Sequence, residues 1–241
     1  MDIIESPELR SLVMDILTKA YNLLEPREGL HASDLIYCLT RSYWNKVDPL
    51  PSSETDVLRF SVGLGLERVI IQFGASRPVG SFEEDGIILT PDFILQGLHS
   101  ELKTTRSAPG KWSDTWVRQI AAYCYATEQL AYNLIVLHII QPQVKAYRLF
   151  FTQEELEEQW GDILSRKEVL TTALETQTPP QEFQWNEDWE CAGCKYKLRC
   201  DLSASLRMVG PLPSNVVPIT EWRGKSQVEV DPTRHIDFPI R

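Results

Sequence analysis

The stretch from Pro91 to Lys103 carries the residues best suited to chemistry. Asp92 opens it and Glu101 and Lys103 close it, separated by one residue. The pattern reads as two short strands joined by a turn. Side chains alternate across a strand, so Glu101 and Lys103 share one face, and Leu98 and Leu102 are expected to point into the core. Carboxylates beside a lysine can hold a hard divalent cation and orient a water. His99 shares the face of Glu101 and is given no role.

A second constellation is built from cysteine. Cys191, Cys194 and Cys200 lie close in sequence, and Cys38 lies far upstream. The chain has five cysteines, and residues 1–7 do not read as the basic start and apolar core of a secretory leader, so structural disulfides are not expected. Thiolates in this pattern suit zinc or an iron–sulfur cluster equally well on charge grounds. Lys195, Lys197 and Arg199 fall between them and can offset thiolate charge or touch phosphate. The fifth cysteine, Cys124, reads as a packing residue.

Elements must position both sets. Apolar spacing predicts a packing helix over residues 8–24 and a helix starting near Ser33 or Asp34 that carries Cys38. A further helix, over residues 57–71, carries Gly63, Gly65 and Glu67. Its glycines suggest close approach to a strand or ligand, and Glu67 stands among apolar residues. Residues 74–80 read as a turn, and strands follow over 82–88, 89–95 and 98–104. Residues 112–132 read as a helix with Gln119 and Tyr123 on one face. Two more strands (134–140 and 144–151) and a long polar helix (154–174) complete the order. This order predicts an α/β chain whose mixed central sheet is flanked by helices. Residues 1–202 are expected to form one domain, with 31–60 and 185–202 as cysteine-bearing segments, 60–151 as the catalytic core, and 203–241 as a tail. Val216, Val217, Ile219 and Trp222 suggest that this tail packs.

Composition narrows the function. The chain has 241 residues, 43% hydrophobic and 24% charged, with a net charge of −10. That charge excludes a protein that coats nucleic acid through bulk positive charge, but allows an enzyme with a local basic groove. No apolar run approaches the roughly 20 residues of a membrane helix, and a cytoplasmic location is expected.

The ordered set resembles a known family. Gly63-x3-Glu67, Asp92, Glu101-x-Lys103 and Gln119-x3-Tyr123 are similar to the motifs of RecB-like PD-(D/E)XK nucleases. Ser33-Asp34-Leu35 leading to Cys38, together with Cys191, Cys194 and Cys200, resembles the iron–sulfur members. These include the CRISPR-associated Cas-four exonucleases and related phage and recombination nucleases. The resemblance runs from about residue 31 to residue 200. It implies a restriction-endonuclease-like core, a metal-dependent DNA exonuclease favouring single strands or ends, and a prokaryotic or viral origin. It makes Glu67, Asp92 and Glu101 ligands of Mg²⁺ or Mn²⁺ and Lys103 the catalytic lysine. Gln119 and Tyr123 help shape the site, and the four cysteines hold a [4Fe–4S] cluster that joins the N- and C-terminal segments. Glu67 departs from the histidine of many relatives. CRISPR integration proteins are the partners such a family would suggest. Arg106, Lys111 and Arg118 are candidates to guide DNA, Trp112 is a candidate for base stacking, and Trp116 reads as core. The competing reading is a non-catalytic DNA-binding or adaptor protein containing a cluster or zinc.

Overall fold

The computed structural model describes residues 5–24, 28–74, 77–107, 113–180 and 188–202. The chain divides into two units, Met1–Tyr196 and Lys197–Arg241. Lys111, Trp112 and the residues expected to pack the tail lie outside the described residues.

Four helices open the first unit: α1 (Pro7–Leu24), α2 (Ala32–Ile36), α3 (Leu39–Val47) and α4 (Glu54–Phe73). Ser53 caps α4, its hydroxyl accepting the Asp56 N–H while the Asp56 carboxylate accepts the Ser53 N–H. The helix expected to start at Ser33 or Asp34 is instead two short helices. His31 occupies the cap position of α2, and Asp34 accepts its N–H from inside the first turn. The break between α2 and α3 leaves Cys38 at the cap position of α3. Helix α1 lies against α4 through an edge-on contact of Tyr21 with Phe60, with ring centroids 5.0 Å apart. Much of its apolar stripe, including Leu9, Leu12 and Ile16, stays exposed.

The strands are β1 (Arg77–Pro78), β2 (Phe82–Glu84), β3 (Ile87–Leu89), β4 (Phe93–Leu95), β5 (Leu98–Thr105), β6 (Ala131–His138) and β7 (Gln143–Phe150). The five-stranded sheet has the order β1-β4-β5-β6-β7, and β2 and β3 form a separate hairpin. Residues 77–78 are therefore a strand within the stretch expected to be only a turn. The β4–β5 hairpin turns through Gln96 and Gly97 at φ 51° and 81°, the left-handed pair that a tight two-residue hairpin requires. Strands β5 and β6 run parallel, pairing Glu101 with Leu134 and Lys103 with Val136; the other pairs in the sheet are antiparallel. The sheet is mixed, as expected.

The crossover between β5 and β6 is α5 (Asp114–Ala126). This helix is shorter than its periodicity suggested. Residues 127–130 turn the chain, and Ala131 and Tyr132 already belong to β6. A buried strand demanded these residues, overriding helical spacing. Helix α6 (Gln153–Glu175) packs beside α5, and α7 (Asp188–Ala192) follows. Together α5, α6, α2 and α3 cover a core that includes Leu35, Ile120, Leu134, Val136 and Trp160.

That core decides which way the hairpin faces. Tyr132, Leu134 and Val136 are buried, and Glu101 and Lys103 lie on the same face as their partners Leu134 and Val136. The expected orientation is inverted. Leu98 and Leu102 are only half-buried on the opposite face, while Glu101, 3% exposed, points into the interior beneath α5. Among the described residues no helix is long and apolar enough to cross a membrane.

Candidate active site

The sheet and α5 bring together four residues that the sequence placed in separate motifs. Lys103 Nζ donates to Glu101 Oε1 at 2.6 Å and to Gln119 Oε1 at 2.7 Å. Gln119 Nε2 donates to the Tyr123 hydroxyl at 2.7 Å. The one-turn spacing of Gln119 and Tyr123 along α5 makes the second link, and the strand alternation of Glu101 and Lys103 makes the first. Asp92 enters from the start of β4, where its Oδ2 accepts the Leu102 N–H at 2.8 Å. That bond fixes the carboxylate against the hairpin and leaves its second oxygen outside this contact. Glu67, half-buried on α4, completes the acidic set.

The electrostatics show three carboxylates crowding one another. Burial raises Glu101 to about 8 despite Lys103, and Asp92 and Glu67 add to the rise. Burial also raises Glu67 to about 6, with Asp92 contributing. Burial disfavours the Lys103 ammonium, but Glu101 outweighs it and holds the lysine above its ordinary range. The Tyr123 phenol is pushed up by burial and then by Glu101.

One atom stands out. Glu101 Oε2 is buried with no hydrogen-bond partner among the described residues. An orphaned carboxylate oxygen in the interior is costly, and mutually repelling acids compound the cost. A divalent cation would relieve both. By donor type, then, Glu67, Asp92 and Glu101 fit Mg²⁺ or Mn²⁺, the hard-oxygen set expected of them. The ligand shell is not drawn together: among the described residues no three His, Cys, Asp or Glu side chains are placed to enclose an ion. His99 shares the buried face, its ring against Phe82 and Tyr132, and its Nδ1 is also without a partner among the described residues.

Beside this group a groove of about 1200 Å³ opens at the C-terminal end of β5. Lys103 and Arg106 line it from the strand side, Trp116 from α5, and Arg59 from α4. Arg118 is not among the described lining residues, although it was expected to guide a ligand with Arg106. Trp116 is half-buried and packs against the core while also bordering the groove, so its expected packing role covers part of its position. Arg59 and Tyr37 escaped sequence reading. Arg59 sits in an apolar helical stretch and Tyr37 at the break between α2 and α3, and nothing local marks them as lining the groove of Lys103.

The cysteine segments are held differently. Cys38, half-buried, donates its backbone N–H to Glu190 Oε2 at 3.1 Å, so the residue before Cys191 docks on the α2–α3 junction. The Arg41 guanidinium approaches the same oxygen at 3.6 Å, and Glu190 Oε1 is buried without a partner among the described residues. Arg166 of α6 is fully buried and donates to the carbonyls of Leu35 at 2.5 Å and Tyr37 at 2.7 Å, pinning the end of α2. Burial lowers its pKa to about 10. Tyr196 is buried, accepting the Leu50 N–H at 3.0 Å and donating to Asn45 Oδ1 at 2.8 Å.

Burial, as its largest influence, raises the Cys38 thiol. Cys191 is exposed and Cys194 half-buried, joined by a turn in which the Cys194 N–H donates to the Cys191 carbonyl. Cys200, half-buried, belongs to the second unit, where residues 197–202 are helical and Lys197 pairs with Asp201 at 2.9 Å. Lys195 donates to the Leu50 carbonyl at 2.7 Å. Soft thiols on a turn docked by Glu190 against the Cys38 segment suit a cluster or zinc in type, though among the described residues they form no ion-enclosing group. Cys124 is buried and packs in the core, as expected. Glu190 and Arg166, which hold this junction, also escaped sequence reading. A glutamate beside a tryptophan and an arginine in a polar helix look like surface residues until the fold buries them.

No protein-family model matches the chain, and no curated protein matches it in sequence. Among solved structures it is similar to the protein designated SSO0001, with a TM-score of 0.57 and 18% identity over 80% of this chain and 96% of that one. This likeness is one of fold. An alkaline exonuclease from Laribacter hongkongensis superposes at a TM-score of 0.47 and 14% identity, over 62% of this chain and 91% of that one. Its complex with dAMP superposes at 0.40 and 14%, over 61% and 93%. These last two scores are too low to bear on function.

Proposed function

We propose that the chain is a metal-dependent deoxyribonuclease of the PD-(D/E)XK type that hydrolyses phosphodiester bonds, working as an exonuclease on DNA ends or single strands. The observation that carries this reading is the continuous chain Glu101–Lys103–Gln119–Tyr123, with Glu101 Oε2 buried without a partner among the described residues and Asp92 and Glu67 close enough to raise the Glu101 carboxyl. In hydrolysis, a water oxygen attacks phosphorus, the bond to the leaving sugar oxygen breaks, and that oxygen gains a proton while the attacking water loses one. Glu67, Asp92 and Glu101 would hold the cation, which when bound polarises the phosphate and eases ionisation of water. Lys103 is a cation donor here. Glu101 beside it holds its pKa up, so Lys103 stands as a cationic hydrogen-bond donor that can neutralise charge growing on the phosphate oxygens. Gln119 holds Lys103 in place through its carbonyl oxygen, and the Tyr123 hydroxyl holds Gln119.

The four cysteines Cys38, Cys191, Cys194 and Cys200 are proposed to hold a [4Fe–4S] cluster with a bracing role. Anaerobically purified protein should then be brown and contain iron; a colourless, zinc-bearing protein would favour a zinc brace.

The deciding experiment incubates end-labelled single- and double-stranded DNA with the chain and Mg²⁺ or Mn²⁺. Progressive shortening that vanishes in Glu101→Ala and Lys103→Ala, with both variants folded by circular dichroism, is expected. Binding without shortening by the wild-type chain would leave the non-catalytic DNA-binding reading in its place.

A further inference from the structure

Helix α1 carries two faces that differ in use. Met14, Leu17 and Tyr21 are half-buried, and on that side Tyr21 meets Phe60 of α4 while Arg10 pairs with Glu54. Leu9, Val13, Ile16, Ala20 and Leu23 form a different line, spaced four, three, four and three residues apart. All of them are exposed, the large ones from 46% at Val13 to 84% at Leu23. Alternating steps of four and three give the period of about 3.5 residues that a coiled-coil seam needs to keep facing a neighbouring helix. Packing on α4 does not account for this line, and apolar side chains in a continuous row gain only when an apolar surface covers them.

The residues beside the seam say what that surface is. One flank carries Arg10 and Leu17 and no acid; the other carries Glu8, Leu12, Asp15 and Lys19. Among the described residues neither Asp15 nor Lys19 forms an ion pair. Two copies of α1 running antiparallel set like flanks against each other. In the register that lays Leu9 on Ala20 of the second copy and Val13 on its Ile16, Lys19 comes level with the stretch between the opposing Glu8 and Asp15. Flanking charges of this kind set the orientation of helix pairs. Parallel packing would set Lys19 against the flank that holds no acid. A membrane surface is a poorer match, because a helix lying on anionic lipid carries lysine and arginine along its polar face. Here Glu8 and Asp15 accompany Lys19, and Glu54 holds Arg10.

We propose that a second copy of this chain covers the seam, the two α1 helices packing antiparallel about a two-fold axis near the middle of the helix. The contact is isologous, each copy offering the same patch. It stands independently of the nuclease reading. From Leu9 to Leu23 the seam runs about 21 Å, which is short for a standard interface, so dilution should dissociate the dimer.

Sedimentation equilibrium of the full chain, from ~1 to ~100 μM, tests this. The mass should rise with concentration from 27.6 kDa toward twice that value. Ile16→Glu places a charge on the seam of each copy and should raise the dissociation constant about tenfold or more. Ile16 is exposed, so this variant should keep the circular dichroism and melting temperature of the dilute wild-type chain. Lys19→Glu should weaken pairing by about threefold or more, and adding Glu8→Lys and Asp15→Lys to it should restore the dimer. A monomer at every concentration, or a dimer that Ile16→Glu leaves intact, would overturn the proposal. A dimer lost in Ile16→Glu but indifferent to Lys19→Glu would overturn the antiparallel arrangement. Flotation with phosphatidylserine–phosphatidylcholine vesicles that is lost in Ile16→Glu, by a chain that stays monomeric in solution, would give the seam to a membrane instead.

Discussion

The carboxylate–lysine group and the Cys38–Glu190 junction both lie in the first unit but are assembled by opposite means. The first is built on regular secondary structure. Strand alternation aligns Glu101 with Lys103, a helical turn aligns Gln119 with Tyr123, and the parallel β5–α5–β6 crossover lays one over the other. The second is built from irregular backbone. Short helices, a cap residue and a turn meet there, held by buried charged side chains, Glu190 and Arg166, that reach across many residues of sequence. The contrast teaches that a site on rigid elements places its polar groups before any ligand arrives. A site on loops needs buried polar ties to exist at all.

The comparison can be broken from either end. The largest effect should come from the lysine. Lys103→Ala removes the donor to the developing charge and should cut DNA cleavage by about 10²–10³-fold or more, measured as single-turnover rates. Thermal stability should fall as well, because Glu101 Oε1 and Gln119 Oε1 lose their donor, so rates are compared at a temperature where the variant is folded; cleavage that survives in the folded variant would mean Lys103 is chiefly structural.

Next is Arg166→Ala. It leaves the carbonyls of Leu35 and Tyr37 buried without their donor and should cost about 3 kcal/mol in urea unfolding. A cost near zero would show that the cysteine junction does not depend on its buried ties.

Tyr196→Phe is a gentler probe of the same junction. Losing the hydroxyl strands the Leu50 N–H and should cost about 1–2 kcal/mol, with cleavage retained under conditions where the protein is folded.

The last effect is a slope. Glu101 binds its proton more readily in the folded chain, at about 8, than at the ordinary 4.5 of an unfolded glutamate. Between those values the folded state holds more protons, so the stability of the metal-free protein should be fullest below 4.5 and fall as pH rises toward 8. Glu101→Gln should flatten that fall. If wild-type and variant unfold with the same pH dependence, burial does not hold the proton on Glu101.

Much of the first region was legible in the chain. The two short strands and the turn between them were readable, and the alternation and one-turn spacings marked which residues share a face. Those rules are local and survive in any context that keeps the element. Which face the core would take was not legible. Leu98 and Leu102 looked like the interior residues of β5, yet α5 covers the other side, because Leu134 and Val136 of the neighbouring parallel strand need that cover more. Likewise residues 127–132 kept helical spacing but went to a turn and to β6, where pairing and burial outweighed local preference.

The sequence by itself determined the candidate chemistry: the acids, the lysine, the glutamine–tyrosine pair and the thiols, along with the strand and helix periods that carry most of them. Tertiary structure decided the rest. It turned Glu101 inward and left one of its oxygens without a partner among the described residues. It brought Arg59 of α4 to the groove of Lys103 and Arg106, and buried Glu190 and Arg166 at the Cys38 junction. The physical reason is range. Turn geometry and side-chain alternation act over a few residues, whereas desolvation, charge crowding and the pairing of buried groups depend on neighbours that only the folded chain supplies.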